Sequence, residues 1–499
     1  MIGALDIVLV LGFLFFFLPN LSDRALLAFL CSAVFLFFSA FGIVRHISLC
    51  SGGWDLGIFD QAIWNVTKGN SLFCTIKYSQ GGTLLGDHFE PILFLIAPLY
   101  FLWPHVELLL VLQAFLLASA IVPLYLIANP VFKDRLVVFA FLICYVLSKP
   151  LRGIAFFDFY PESFMVPALF WGYYFLMKRR DAFLWASIII LLLCKEDAAF
   201  LVFGMGLFAL GIQKRRGLGI SLTALSVFLW WLETAIIIPY FSPTHKYAYL
   251  GNLPFGATYL DNFKFCLFHP LLFFKFLFTT HKVNYLLRML GPLCFLSLLS
   301  PQFILAFLPL FKNLLGSDSS SFIGINEHYV AEAVPFIFIA AIYGGHWLLK
   351  RLKFKGSNVI LSLFLIGSTV LFIGKSDGRR LSEYFTDINK NHTLDKIKAL
   401  GLVPPGASVL ASNDICPHLS HRKFIYEWGQ TEGKEIFPDY IVIDKDIGGG
   451  KLTPEENTKI NIYLNDAKSR GYKTIADIQD GRFLILSAVP LKIYSSSIK

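Results

Sequence analysis

Charge is what this chain has least of. Only 15% of its 499 residues are Asp, Glu, Lys or Arg, while 56% are hydrophobic; a soluble protein carries roughly a quarter charged residues. That imbalance excludes a soluble globular domain as the whole molecule. The eight cysteines contain no CxxC pair, which argues against a metal cluster. No HExxH motif occurs, and there is no low-complexity tract or clear internal repeat. Basic clusters are short and lie between hydrophobic spans, so nothing points to a nucleic-acid partner.

Long apolar runs fill the space that charge leaves. They lie near 3–19, 24–46, 106–128, 136–149, 164–177, 183–194, 198–212, 218–239, 285–299, 302–314, 329–349 and 357–374. Runs near the ~20 residues that span a bilayer read as transmembrane helices. The pattern predicts a mainly α, polytopic membrane bundle of about 11–13 helices. The run from Ile7 to Leu18 resembles a signal-peptide core but lacks a basic stretch before it and small residues after it, so a retained first helix is expected.

The positive charge has a pattern. Arg24, Lys133, Arg135, Lys178-Arg179-Arg180, Lys214-Arg215-Arg216, Lys350-Arg351, Lys353 and Lys355 fall on one side of the spans, 13 basic residues against the three acids Asp23, Asp134 and Asp181. The positive-inside rule makes that side cytoplasmic. The acidic and histidine-containing segments then face the other way: the 50–104 loop, Asp158 to Glu162, Lys195-Glu196-Asp197, the 240–284 loop and Glu327-His328. After residue 375 the chain becomes charged and loop-rich, with 17 Lys+Arg and 16 Asp+Glu in 376–499. Ala407 to Ala411, Tyr440 to Asp444 and Phe483 to Leu486 read as buried strands, and Glu455 to Arg470 as a helix with Thr453 as N-cap and Gly471 as C-cap. The expected division is a membrane domain over 1–375 and an extracytoplasmic α/β domain over 376–499.

Several residues have the chemistry of a site. Asp55 and Asp60 stand in the first large loop, where a carboxylate suits a general base that takes a proton from a hydroxyl; a helix cap and a solvated surface charge are the plain alternatives. Asp87, His88 and Glu90 form a second polar knot before Pro91. They could contribute ligands to a divalent metal, although no cofactor motif accompanies them; capping and a hydrogen-bond network explain them equally. Lys195-Glu196-Asp197 interrupts apolar sequence on both sides, a costly arrangement unless it lines a watered cavity or forms an exposed turn. Lys195 and Arg152 suit a lipid phosphate. Asp158, Tyr160 and Glu162 form an aromatic turn that could carry a sugar, and Glu327 and His328 either cap a helix or line a cavity. Cys50 and Cys74 share one loop, as a disulfide or as two thiols.

In order along the chain, Asp55-Leu-Gly-Ile-Phe-Asp60-Gln61, His88-Phe-Glu90-Pro91, Pro98-Leu-Tyr100, Gln113-Ala114, Asp158-Phe-Tyr-Pro161-Glu162, Lys195-Glu196-Asp197, Glu327-His328-Tyr329, Pro417-His-Leu-Ser420-His-Arg422 and Asp439-Tyr-Ile-Val442 resemble a family of predicted bacterial and archaeal membrane proteins of unknown function. That family is grouped with the GT-C glycosyltransferase superfamily. The resemblance implies a GT-C-like bundle whose first extracytoplasmic loop carries the acidic catalytic residue. It also implies a polyprenyl-phosphate-linked sugar as donor and inverting displacement of the lipid phosphate. Mapped here, Asp55 or Asp60 is the base, Lys195 and Arg152 meet the leaving phosphate, and Gln61, His88, Glu90, Asp158, Glu162, Glu196, Asp197, Glu327 and His328 line the substrate site. The superfamily's acidic pair is adjacent or nearly so, whereas these aspartates are five apart, so both stay candidates. The expected function is sugar transfer from a lipid-phosphate donor to an envelope acceptor, at the extracytoplasmic face of a bacterial or archaeal cell membrane. A transporter or flippase of a lipid-linked precursor and a non-catalytic scaffold are the rival expectations; charges gathered at one face favour the enzyme.

Overall fold

A computed structural model describes residues 20–249, 254–256, 258–318, 321–352, 354–373, 384, 386, 388, 392–431, 436–446 and 452–488. The expected first helix within 3–19, Lys353 and the junction at 375–376 lie outside the described residues. The chain is mainly helical, with several apolar helices and a small sheet region towards its C-terminus. Among the described residues, four helices are long and apolar enough to cross a membrane: Asp23–Ile47, Glu107–Phe132, Arg216–Phe241 and His328–Leu352. The pair Arg135–Leu147 and Lys149–Ala155, bent by 48°, makes a fifth if counted as one span.

Burial separates the roles of these helices. The most apolar window of His328–Leu352 is 72% buried and that of Arg216–Phe241 only 22%. The first is an inner helix, while the second leaves most of its apolar surface for lipid. The bend at Ser148 has a local cause. Ser148 is extended (φ −61°, ψ 131°) and caps both pieces, and Pro150 follows at the start of the second. A proline there has no N–H to continue the ladder, so the chain starts a new helix in a new direction. That short helix carries Lys149 and Arg152, both buried.

Two compact units are present. One comprises residues 1–42, 85–95 and 109–381; the other comprises 43–84, 96–108 and 382–499. The second unit therefore joins segments far apart in the sequence. Its centre is a five-stranded sheet of β3 (Val409–Ala411), β4 (Ile425–Glu427), β5 (Tyr440–Asp444), β6 (Lys473–Ile478) and β7 (Phe483–Ser487), in the order β4-β3-β5-β7-β6. β3 pairs in parallel with both β4 and β5, and β7 runs antiparallel to β5 and β6. The first loop adds a two-residue ribbon of β1 (Phe73–Cys74) and β2 (Gly82–Thr83).

The sheet's core is Leu410, Ile441, Ile443, Leu484 and Leu486 packed on Ile460, Leu464 and Ala467 of the helix Pro454–Ser469. Thr453 and Glu456 form a reciprocal capping box at its start, and Gly471 follows its end at φ +98°, a conformation glycine adopts without penalty. The three anticipated strands are the three central ones. β4 and β6 are edges, and neither was anticipated. The lysine, threonine and aspartate of Lys473–Ile478 dilute its apolar pattern because that edge strand is largely solvated.

Candidate functional site

Two constellations of polar side chains stand out, one in each unit. In the membrane unit, the 85–95 segment, the turn before helix Glu162–Lys178, the turn between Asp181–Leu192 and Ala198–Gly211, and the 247–249 stretch all contribute. Glu196 is fully buried and heavily engaged. Its Oε1 pairs with His88 Nδ1 at 2.7 Å and accepts from Tyr247 OH at 2.9 Å, and its Oε2 accepts from the Phe89 N–H at 3.1 Å. Burial alone would lift this carboxyl, but His88 and Lys195 hold it well below the usual range. Burial alone would lower His88, but Glu196 outweighs it and raises the imidazole pKa. The His88 ring lies flat on Tyr249 (4.4 Å between centroids, 11° between planes), and Tyr249 OH donates to Asp87 at 3.0 Å.

Lys195, next in sequence, turns the other way and donates to Glu162 Oε1 at 2.8 Å. Glu162 Oε1 also lies 3.8 Å from His328 Nε2, and the His328 ring stacks on Tyr160 at 3.6 Å. Glu162 Oε2, Asn326 Oδ1 and His328 Nδ1 are buried without a hydrogen-bond partner. Asp197 and Glu332 share Lys312, at 3.0 and 2.6 Å. Lys312, Glu332, Tyr247 and Tyr249 are not among the residues expected from sequence, although a lone lysine inside the apolar 302–314 run and a lone glutamate inside 329–349 both signal a functional charge.

Glu90 sits amid this network and is only 4% exposed. Burial pushes its carboxyl up, the Glu162 and Glu196 charges add to that, and His88 and Lys195 oppose, leaving it at about 8. A carboxyl that changes charge near neutral pH inside a polar cluster is a group able to hold and release a proton. The same shift has a stability consequence. The folded state keeps the Glu90 proton where the unfolded chain has lost it, so stability falls as pH rises from about 4.5 to about 8. Glu90→Gln removes that loss and is expected to stabilise the protein by on the order of 5 kcal/mol above about pH 8 and hardly at all below about pH 4.5. Thermal midpoints of both proteins across that window test it; a constant offset at all pH values would refute it.

Arg152, 2% exposed, lies over the Phe156 ring at 5.3 Å. Asp158 is buried, and its carbonyl accepts from Gln113 Nε2, which also bonds the carbonyls of Ile154 and Phe157. Glu327 occupies the N-cap position of the turn His328–Val330 with no side-chain cap bond there.

The second constellation holds the two loop aspartates. Asp55 lies half-buried in a π-helical turn, Gly53–Gly57, and Asp60 in the first turn of the helix Ile58–Thr67. Gly57, not Asp55, occupies the N-cap position of that helix. The turn is held by the chain beyond β3. Gly53 N–H donates to Asn413 O at 2.7 Å, Trp54 N–H to Asn413 Oδ1 at 3.2 Å, and Trp54 Nε1 to Glu427 at 3.1 Å. A side chain at Gly53 would strike Cys416.

Asp60 is not a solvated surface charge: it is 0% exposed. Its Oδ1 accepts from Tyr100 OH at 2.6 Å and from His421 Nε2 at 3.1 Å, and its Oδ2 accepts from Ser420 OH. Gln61 beside it is equally committed. Its amide nitrogen reaches Thr75 Oγ1 and the carbonyls of Arg422 and Lys423, and its oxygen accepts from the N–H groups of Thr75 and Ile76. Ser420 and His421 belong to the Pro417 to Arg422 motif, but their partnership with Asp60 could not be read from residues so distant in sequence.

Among the described residues no three His, Cys, Asp or Glu side chains are arranged to hold a metal ion, and His88 is engaged with Glu196 instead. None of the eight cysteines forms a disulfide, so Cys50 and Cys74 are not joined.

The crystal structure of ArnT from Cupriavidus metallidurans bound to undecaprenyl phosphate is similar to this chain, with 12% identity and a TM-score of 0.47, over 92% of this chain and 98% of that one. No curated protein sequence matches. The family model described as predicted membrane protein (DUF2079) matches residues 45–484, and the chain belongs to that family.

Proposed function

We propose that this protein is a membrane glycosyltransferase that moves a sugar from a polyprenyl-phosphate-linked donor to an envelope acceptor at the extracytoplasmic face. The observation that carries the reading is the buried network around Glu90. Ionisable side chains from separate segments of a largely apolar chain gather in one place, at a desolvation cost that membrane proteins accept mainly where they bind or react. The ordered motifs that resemble the GT-C superfamily supply the same residues.

On this reading an acceptor hydroxyl loses its proton to a base built around a carboxylate of the first loop and attacks the anomeric carbon. The carbon–phosphate oxygen bond breaks, and the lipid phosphate leaves with its electron pair. Asp55 and Asp60 are the proposed carboxylates of that base, either taking the proton or orienting the group that takes it. Arg152 and Lys195 are the proposed cations for the leaving phosphate, and Lys195 reaches it by exchanging Glu162 for it. Gln61, His88, Glu90, Asp158, Glu162, Glu196, Asp197, Glu327 and His328 stay assigned to the substrate region, with Gln61 acting through the loop it fastens.

The test is release of polyprenyl phosphate from a panel of lipid-phosphate sugars by reconstituted protein, with Asp55→Ala and Asp60→Asn beside the wild type. Turnover that falls at least a hundredfold in one variant is expected; wild-type turnover in both and in the double variant sinks the reading. One feature favours transport instead: the broken span at Ser148 with two buried cations beyond it. Movement of an unaltered lipid-linked sugar between leaflets, without release of lipid phosphate, would decide for that rival.

A further inference from the structure

We infer that His421, oriented by the buried carboxylate of Asp60, takes the proton from the acceptor hydroxyl. The role as base rests on the glycosyl-transfer reading; the Asp60–His421 dyad rests on geometry alone.

Asp60 is poorly placed to meet an acceptor itself. It is fully buried and accepts hydrogen bonds from Tyr100, Ser420 and His421 on its two oxygens. Three donors hold it as an acceptor-only anchor and turn it away from solvent. His421 has the complementary situation. Its side chain is 30% exposed, and its Nε2 is the nitrogen that meets Asp60. A carboxylate at Nε2 fixes the proton there and leaves the lone pair on Nδ1, at the other side of the ring. The ring is held in place as well, lying nearly parallel to Trp64 (20°, 6.1 Å) and 5.6 Å from Tyr100. A part-exposed imidazole, a buried carboxylate behind it and the part-exposed Trp64 ring alongside make a positioned base beside a surface on which a sugar face can rest.

The charged groups facing His421 are Asp60, Glu107 and Lys68. Burial alone would lower the imidazole, and Lys68 adds to that, but Asp60 by charge and hydrogen bond, with Glu107, raises it instead. The raised basicity favours proton uptake. In the step, the hydroxyl oxygen bonds to the anomeric carbon and its proton passes to His421 Nδ1. The imidazolium so formed is stabilised by Asp60, and the lipid phosphate departs with the electrons of the broken carbon–oxygen bond. Asp60 is the positioning residue and His421 the base.

The experiment uses full-length protein in lipid nanodiscs and has two arms. In the first, diethyl pyrocarbonate, which modifies neutral imidazole, is applied across a pH series and modification at His421 is read by mass spectrometry. Asp60→Asn is expected to move the His421 midpoint down by about one pH unit. An unmoved midpoint overturns the dyad whether or not any donor turns over. In the second, polyprenyl phosphate release is followed against pH. His421→Gln is expected to lower kcat by about 10²–10⁴-fold, leave the donor KM within about threefold, and abolish the acidic limb of the profile. An unchanged kcat or an unchanged limb overturns the assignment, as does loss of the limb in Asp55→Asn. If no donor turns over while the midpoint still answers to Asp60→Asn, the dyad stands and its role as base in glycosyl transfer is overturned.

Discussion

Asp60→Ala is expected to loosen the hold of the first loop on the C-terminal segment and to lower stability by about 3–5 kcal/mol. The substitution removes one carboxylate and strands Tyr100 OH and His421 Nε2, while Ser420 OH keeps the Pro417 carbonyl as acceptor at 2.8 Å. Each lost hydrogen bond to a charged group is worth about 1.5–3 kcal/mol, and the Tyr100 hydroxyl is left buried without an acceptor. The loss is local before it is global. Helix Ile58–Thr67 keeps Gln61 as a second fastening, so the 413–425 stretch should open first. Limited proteolysis should cut there sooner in Asp60→Ala than in wild type, and the thermal midpoint should fall. Asp60→Asn, which keeps one acceptor, should show a smaller version of both effects. An unaltered cleavage pattern and midpoint in Asp60→Ala would show that the clamp does not exist.

Lys195→Met should be the more damaging change in the membrane unit, by about 3–5 kcal/mol, because it leaves Glu162 buried with no cation beside it. Both partners are almost wholly buried, at 8% and 2% side-chain exposure, so solvent does little to soften the loss. Pairing it with Glu162→Leu should recover most of the stability, since an apolar pair of similar volume avoids desolvating two charges. Denaturant unfolding of the two single variants and the double variant closes the cycle. Additive losses would mean that the two groups do not interact. If the pair also serves catalysis, the recovered double variant should remain inactive, which separates a structural contribution from a functional one.

The parts of this fold that could be read from sequence share a physical basis. β3, β5 and β7 are central strands, so they appear as unbroken apolar runs. The helix Pro454–Ser469 announces itself by Thr453, Glu456 and Gly471, whose roles are set within a few residues. What sequence could not give was partnership at a distance. Asp60 reads as a helix-opening acid, and only the fold brings Ser420 and His421 to it. Lys195 reads as one of three adjacent charges, and only the fold sends it to Glu162 while Glu196 turns to His88. Gln61 carries no visible sign that it fastens the 422–425 stretch. In each case the decisive neighbour lies far along the chain, beyond the reach of periodicity or capping rules.

The unit assembled from 43–84, 96–108 and 382–499 has a bearing on how the molecule is made. Asp60 leaves the ribosome 360 residues before Ser420. At about 5–20 residues per second that is a wait of roughly 20–70 s, during which the first loop must persist without the chain that completes it. The intervening residues, 109–381 among them, are made in that interval. Closing the clamp therefore waits on the 413–425 stretch, and a chain terminated before it would never acquire the dyad.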